Sequence, residues 1–322
     1  MTIKTKFTSA LGIQHPILLA PMGNVAGGKL VASVSNSGGL GMLGVGYGDH
    51  AWLKNELEII KHTTNKPWGV GFITWSLTEE VFDLVMHYSP NAVMMSFGDM
   101  SPWVEKIKAH NIPLICQVQS LAEAIEVKEK GADFIVTQGS EAGGHGKSER
   151  STLSLTEEVI HHLPNTSIIA AGGIADGKSL AAVLSLGAHG ASIGSRFYAS
   201  TESLANDKLK QKMLESSGND TLRTDVFDIV REIPWPKEYS GRAIKNVFTS
   251  RWHGKGDELT RQLDQHQDRF FSDQQSNNLE SAIIWAGECI DSINAIHDAK
   301  VIIDNMVTDT GAIFNNNNSN LS

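Results

Sequence analysis

Short apolar runs recur along the first two thirds of the chain, and a segment of helical pattern follows nearly every one. The runs are residues 17–20, 40–43, 68–72, 92–96, 113–118, 134–137, 168–171 and 190–193. A short run that is apolar throughout suits a strand buried on both faces of a parallel sheet. The helical segments between them are 29–37, 52–61, 79–87, 102–110, 121–130, 155–163 and 179–186. Gly38, Gly131 and Gly187 follow three of these, where a glycine commonly ends a helix. Strands alternating with helices imply βαβ units. Eight such units without a reversal point to the α/β class and a (β/α)8 TIM barrel. A doubly wound open sheet is the alternative.

The pattern changes after the eighth run. Residues 201–275 carry more charge and fewer strand-like runs, and Ile233-Pro234-Trp235-Pro236 cannot be helix interior. This stretch reads as a smaller helical cap inserted after strand eight, over the mouth of the barrel. Residues 279–306 then place Ile283, Ile284, Ala286, Ile290, Ile293 and Ile296 on a helical stripe. That stripe predicts a long closing barrel helix. The domain division expected is therefore a barrel of 1–200 and 276–312, and a cap of 201–275 forming the substrate domain. The asparagine-rich residues 313–322 read as a disordered tail. Prolines and tryptophan at 234–236 read as cap packing.

Bulk properties exclude several classes. At 322 residues, with 41% hydrophobic and 20% charged residues, the chain is an ordinary globular protein. A formal net charge of -9 argues against a nucleic-acid binder. No apolar run approaches membrane-spanning length. The first residues carry no apolar signal region, so a cytoplasmic location is expected. Two cysteines, Cys116 and Cys289, are too few for a disulfide scaffold and read as reduced thiols.

Barrels of this type carry their active sites at the C-terminal ends of the strands. The loop after strand seven is Ala171-Gly172-Gly173-Ile174-Ala175-Asp176-Gly177, and Gly194-Ser195-Arg196-Phe197 follows strand eight. Paired glycine loops at these two positions match a phosphate site built from backbone N–H groups. Tight turns alone are the competing explanation. After strand one, Pro21-Met22-Gly23 could present backbone groups to a flat heterocycle, although taken alone a simple turn is the better reading. The loop Gly44-Val45-Gly46-Tyr47-Gly48 lacks the dinucleotide-binding spacing and reads as a cavity wall.

The loop after strand six is Gln138-Gly139-Ser140-Glu141-Ala142-Gly143-Gly144-His145-Gly146, with four glycines in nine residues. Such a backbone can turn sharply and approach a ligand. His145 stands among these glycines with no neighbouring side chain to crowd it. An imidazole of ordinary pKa near 6.5 suits proton abstraction. Glu141 could orient it or cap the backbone, while Lys147 and Arg150 read as solvent-facing. No zinc motif and no nucleophile elbow is present, so no metal is expected.

These motifs resemble the nitronate monooxygenases, formerly 2-nitropropane dioxygenases, whose superfamily includes flavin-dependent enoyl and quinone reductases. The matching pieces are Ala20-Pro21-Met22-Gly23, Ser37-Gly38-Gly39-Leu40-Gly41, the segment from Gly139 to Gly146, the segment from Ala171 to Gly177, and Gly194-Ser195-Arg196-Phe197. Ser240-Gly241-Arg242 and Trp285-Ala286-Gly287 match as well. The resemblance implies an FMN-binding barrel. Pro21, Met22 and Gly23 would touch the isoalloxazine, and Gln138 would lie near its edge, with Gly143 and Gly144 approaching it closely. Gly172, Gly173, Gly194 and Ser195 would hold the phosphate. His145 corresponds to the catalytic histidine.

The implied reaction is oxidation of an alkyl nitronate, or of a nitroalkane after loss of its α-proton, with O2 to a carbonyl compound and nitrite. An NAD(P)H-dependent flavin reductase of quinones or enoyl thioesters is the alternative. Partners would be the small-molecule substrate and O2, with no nucleic acid and no membrane, and assembly as a homodimer left open. One departure stands out: where many relatives carry an asparagine on strand three, this chain has Gly71. Thr74 is the candidate replacement for that contact.

Overall fold

The computed structural model describes residues 2–320, with side chains through residue 316. Eleven strands run in chain order: β1 (Ile17–Leu19), β2 (Gly41–Gly44), β3 (Trp68–Ile73), β4 (Ala92–Ser96), β5 (Leu114–Val118), β6 (Phe134–Gln138), β7 (Gly144–Gly146), β8 (Ser167–Ala171), β9 (Gly190–Ile193), β10 (Thr221–Thr224) and β11 (Ser240–Ile244). Eight of them form one parallel sheet in the order β1-β9-β8-β6-β5-β4-β3-β2. The sheet closes on itself where Leu19 N–H donates to the Leu40 carbonyl (2.9 Å) and Leu40 N–H to the Ile17 carbonyl (2.8 Å). The closed barrel expected from the eight apolar runs is the observed fold.

Helices α1 (Lys6–Leu11), α2 (Gly28–Asn36), α3 (His50–Thr63), α4 (Glu79–Met86), α5 (Ser101–Ala109), α6 (Leu121–Glu129), α7 (Thr152–His162) and α8 (Gly177–Ser185) precede or surround the strands. Side chains alternate across each strand. Ile17 and Leu19 therefore pack outward under the helices, while Leu18 packs inward with Met42, Met94, Ile115, Val136 and Ile169. Helix α1, too short to announce itself by periodicity, plugs the N-terminal end. Its Phe7 is fully buried and meets Phe134 edge to face at 5.5 Å.

After β9 come α9 (Ser195–Tyr198), α10 (Asp207–Leu214), α11 (Val226–Val230), α12 (Val247–Trp252), α13 (Gly256–Arg261) and α14 (Leu263–Ser276). Val226, Phe227, Val230, Trp252, Leu259 and Phe270 give this cap its own apolar core. A feature with no warning in the sequence joins cap and barrel. Strands β10 and β11 pair antiparallel, and β11 pairs with β7 from the barrel loop, placing Gly241 opposite His145.

The long closing helix over 279–306 is not what forms. Residues 284–286 run extended beside β11, with Ile244 N–H donating to Ile284 O and Ala286 N–H to Arg242 O. A 3-10 turn, Glu288–Ser292, follows, and helix α15 (Ala299–Asn320) begins only at Ala299. Ile284, Ile290 and Ile293 instead join a cluster that includes Tyr198, Met213 and Ile244, while Ile283 packs on the core of the cap. The extended course is forced at Gly287, which lies so close to the loop after β6 that a Cβ there would sit 2.8 Å from the Glu141 carbonyl. Helix α15 packs on α8, with Thr310 Oγ1 donating to Gly177 O at 3.0 Å. It takes in most of the expected tail, whose last two residues lie outside the described residues. No helix among the described residues is long and apolar enough to cross a membrane, and both cysteines are free thiols.

Candidate active site

A cavity of about 630 Å³ opens at the C-terminal ends of the barrel strands, beneath the cap. That volume lies within the range of small-molecule sites. His145 and every residue expected to touch the cofactor line it: Pro21, Met22, Gly23, Gln138, Gly143, Gly144, Gly172, Gly173, Gly194 and Ser195. The wall also includes Gly44, Val45, Gly46 and Tyr47, as expected of that loop.

The floor is made by close backbone contacts that only glycine permits. A Cβ on Gly44 would meet the Met22 backbone at 2.4 Å, and one on Gly71 would meet the Pro21 ring at 2.3 Å. The departure at position 71 thus has a steric cause: Pro21 occupies the space an asparagine would need. Thr74 does not replace that contact. It is buried in a 3-10 turn, its hydroxyl has no partner, and it forms no part of the cavity wall.

Gly172 (φ 108°) and Gly173 (φ 72°) adopt left-handed backbone, open to glycine without strain. Among the described residues, the N–H groups of Gly172, Gly173, Gly194 and Ser195 donate to no protein acceptor. The Ser195 hydroxyl accepts from Gly287 N–H at 2.9 Å and lies in hydrogen-bond contact with the Cys289 thiol. One residue absent from the sequence reading belongs here: Ser192, whose buried hydroxyl lines the cavity without any partner. Next to this loop Arg196 is buried, donating Nη2 to the carbonyls of Ala199 (3.1 Å) and Ala295 (2.8 Å). Burial lowers its pKa only to about 10, so its positive charge persists at neutral pH. Unpartnered donors beside a fixed cation suit an anionic group on a cofactor.

Gln138 is more committed than expected. Its Nε2 donates to the His145 carbonyl at 2.9 Å, and its Oε1 accepts from Gln119 (2.7 Å) and Gln117 (3.2 Å). It ties the end of β6 to β7. Glu141 does not orient His145; its carboxylate caps α7 by accepting from Thr152 N–H at 3.0 Å. Lys147 is paired with Glu123 at 2.6 Å and Arg150 with Glu158 at 2.9 Å, so neither simply faces solvent.

His145 itself is crowded, contrary to its glycine-rich surroundings in the sequence. It lies on β7, and its side chain is 9% exposed. Trp235 stacks on it with centroids 3.7 Å apart and planes 6° apart, and Trp285 tilts against it at 5.1 Å. Nε2 lies 2.8 Å from Oδ2 of Asp228, a residue of α11. Burial lowers the imidazole pKa, Asp228 opposes that, and the Arg231 and Arg223 charges lower it further. The ring is therefore neutral near pH 7 and able to accept a proton.

Trp235 is more than cap packing: its Nε1 donates to the Tyr47 hydroxyl at 2.8 Å, closing one side of the cavity. Phe97, also in the wall, holds the left-handed region (φ 63°), rare for a bulky side chain, and meets Trp235 and Tyr239 edge to face at 5.2 Å. Asp228 and Arg231 carried no local signal, and Trp285 stood only in a matching segment, with no role. Trp235 carried one, since prolines flank it on both sides. Among the described residues no cluster of three His, Cys, Asp or Glu could hold a metal ion.

Comparison with known proteins agrees with this fold. A nitronate monooxygenase family model matches residues 4–77 and 73–309. A probable nitronate monooxygenase of Staphylococcus haemolyticus is 32% identical over 295 residues, covering 77% of this chain and 80% of its own. The (3aS,4S,5R,7aS)-5-hydroxy-7a-methyl-1-oxo-octahydro-1H-indene-4-carboxyl-CoA dehydrogenase of Rhodococcus jostii is 33% identical over 221 residues, covering 68% of this chain and 62% of that protein. Among solved structures, FabK from Thermotoga maritima superposes with a TM-score of 0.85 at 27% identity, covering 99% of both chains.

Proposed function

Because the chain belongs to the nitronate monooxygenase family, a family of flavin-dependent oxidoreductases, we propose that it oxidises alkyl nitronates with dioxygen. Nitroalkanes are substrates once their α-proton is removed, and the products are a carbonyl compound and nitrite. The observation that carries this reading is a neutral, buried imidazole in the same cavity as an unpartnered set of backbone and hydroxyl donors.

The cofactor proposed is FMN. Its phosphate would be held by the N–H groups of Gly172, Gly173, Gly194 and Ser195, and its ring would lie along Pro21, Met22 and Gly23. Gln138, Gly143 and Gly144 would close the opposite side. Bound there, the flavin would supply the redox chemistry between nitronate and dioxygen. His145 accepts the α-proton of a neutral nitroalkane. Trp235 and Trp285 keep water off the ring, which keeps it neutral. The barrel, 1–200 and 276–312, would hold the cofactor, and the cap, 201–275, would shape the substrate pocket. Reduced thiols at Cys116 and Cys289 suit a cytoplasmic location.

Stopped-flow spectroscopy of the flavin under argon tests this. Nitronate should bleach the flavin within the turnover time, while NADH and NADPH should not. The second reading, an NAD(P)H-dependent flavin reductase, shares with the carboxyl-CoA dehydrogenase of Rhodococcus jostii only a thioester as the substrate class. Rapid bleaching by NADH or NADPH would establish it in place of the first.

A further inference from the structure

An imidazole accepts a proton only through a nitrogen that carries none, so a base is defined by its tautomer as well as its position. The surroundings of His145 fix that tautomer. Asp228 is buried, with Oδ2 2.8 Å from His145 Nε2 and Oδ1 accepting from Arg231 Nη2 at 2.7 Å. A guanidinium keeps its protons at any ordinary pH, and a carboxylate paired with it is an acceptor only. The proton between Nε2 and Oδ2 therefore belongs to Nε2.

We propose that Asp228, delivered by the cap, is a positioning residue that holds His145 as its Nε2–H tautomer and leaves Nδ1 as the nitrogen that takes the substrate proton. Nδ1 makes no hydrogen bond among the described residues and is not sealed from the cavity that His145 lines. Trp235 and Trp285 fix the plane of the ring, and Asp228 fixes which edge of it faces the cap. In the reaction the α-C–H bond of the nitroalkane breaks, its electron pair delocalises into the nitro group as the nitronate, and the proton moves to Nδ1. The resulting imidazolium keeps its Nε2–H···Oδ2 bond, now with charge on the donor as well as the acceptor.

The pair also predicts what an isosteric change does. In Asp228→Asn, Arg231 needs an acceptor and claims the amide oxygen. The amide nitrogen then faces His145 and can only donate, which turns the imidazole to the Nδ1–H tautomer and aims a proton into the cavity. The other charged groups acting on this ring, Arg231 and Arg223, are unchanged by that substitution.

The test is two-bond ¹H–¹⁵N correlation NMR of ¹⁵N-histidine-labelled holoenzyme, with the His145 signals assigned by their loss in His145→Asn. Wild-type protein should show a bare Nδ1 and a protonated Nε2, and Asp228→Asn should show the reverse. Turnover of nitroalkane by Asp228→Asn should fall about 10²- to 10⁴-fold, at least ten times further than turnover of pre-formed nitronate. Asp228→Glu, which keeps an acceptor, should restore the wild-type tautomer and part of the turnover. A wild-type ring protonated at Nδ1, or a tautomer indifferent to Asp228→Asn, overturns the proposal. If Asp228→Asn does not fold, the wild-type spectrum and Asp228→Glu still decide. The kinetic arm rests on the nitronate monooxygenase reading, but the tautomer does not. A wild-type enzyme inert to both nitroalkane and nitronate yet carrying the expected tautomer sinks that reading alone.

Discussion

Gly71→Ala is a one-atom perturbation whose consequence can be worked from distances. The added Cβ would sit 2.3 Å from both Cβ and Cγ of Pro21. Carbon atoms in contact settle at about 3.5–4.0 Å, so more than an ångström must be relieved. The proline ring cannot rotate away, because it is locked into its own backbone. Nor can the loop slide, since Met22 is pressed on Gly44, whose Cβ would sit 2.4 Å from its backbone, and Gly23 on Gly46 at 2.9 Å. Strand β3 is held on both sides, with Gly71 registered against Gly44 and Met94. Overpacking of this kind costs about 1–3 kcal/mol. The loop that must shift is the one proposed to carry the flavin ring, so FMN affinity should fall by roughly tenfold or more, which is about 1.4 kcal/mol. Urea titration of the apo-protein reads the first quantity as a lower midpoint at constant slope. Quenching of FMN fluorescence reads the second. Wild-type midpoint together with wild-type FMN affinity would refute the steric account of position 71.

Three further outcomes are expected. His145→Asn should cut nitroalkane turnover about 10²- to 10⁴-fold and nitronate turnover far less; equal losses in steady-state assays on the two substrates would remove the base assignment. Ser192→Ala deletes a buried hydroxyl that has no partner in the protein, so the apo-protein should not lose stability while FMN affinity drops roughly 2- to 10-fold, the worth of one hydrogen bond; unchanged fluorescence titration would show that the hydroxyl does not meet the cofactor. The pKa values of His15, His145 and His189 are all lowered from the ordinary 6.5, chiefly by burial. Below pH 6.5 the unfolded chain therefore binds protons that the folded chain refuses, and stability should fall as pH drops through the lowered values; a flat urea midpoint from pH 7.5 to 5 would contradict this.

The barrel was legible because its determinants are local. Each strand is a short apolar run, and the loops at the C-terminal ends show their glycines openly. The same locality explains what the residues did not reveal. Asp228 lies 83 positions from His145, and nothing in the intervening chain announces that α11 will deliver it. Residues 279–298 carry apolar side chains at helical spacing, yet that spacing records burial and not backbone shape. Between β11 and the loop after β6 there is room only for an extended chain with glycine at 143 and 287, since a Cβ on Gly143 would lie 2.6 Å from Gly287 N. Helix α1 is six residues long, below the length at which periodicity can be read.

His145 looked like a histidine on a flexible loop, and the structure places it on a strand. Strand β7 is three residues long, and among the described residues it pairs only with β11 of the cap. The pairing that puts Gly241 opposite His145 also puts Trp285 directly on Gly241, where a Cβ would lie 2.3 Å from the indole. The glycine at 241 thus exists to let an indole reach the imidazole. A reactive group held by a sheet is located more tightly than one on a free loop. Here the sheet is completed by the cap, as are the carboxylate and one of the two indoles. The barrel supplies the place where a flavin would lie, but the chemistry proposed for His145 depends on the cap. Differences among relatives in how a nitroalkane is deprotonated should therefore follow cap residues such as Asp228 and Trp235, even where the glycine loops of the barrel are the same.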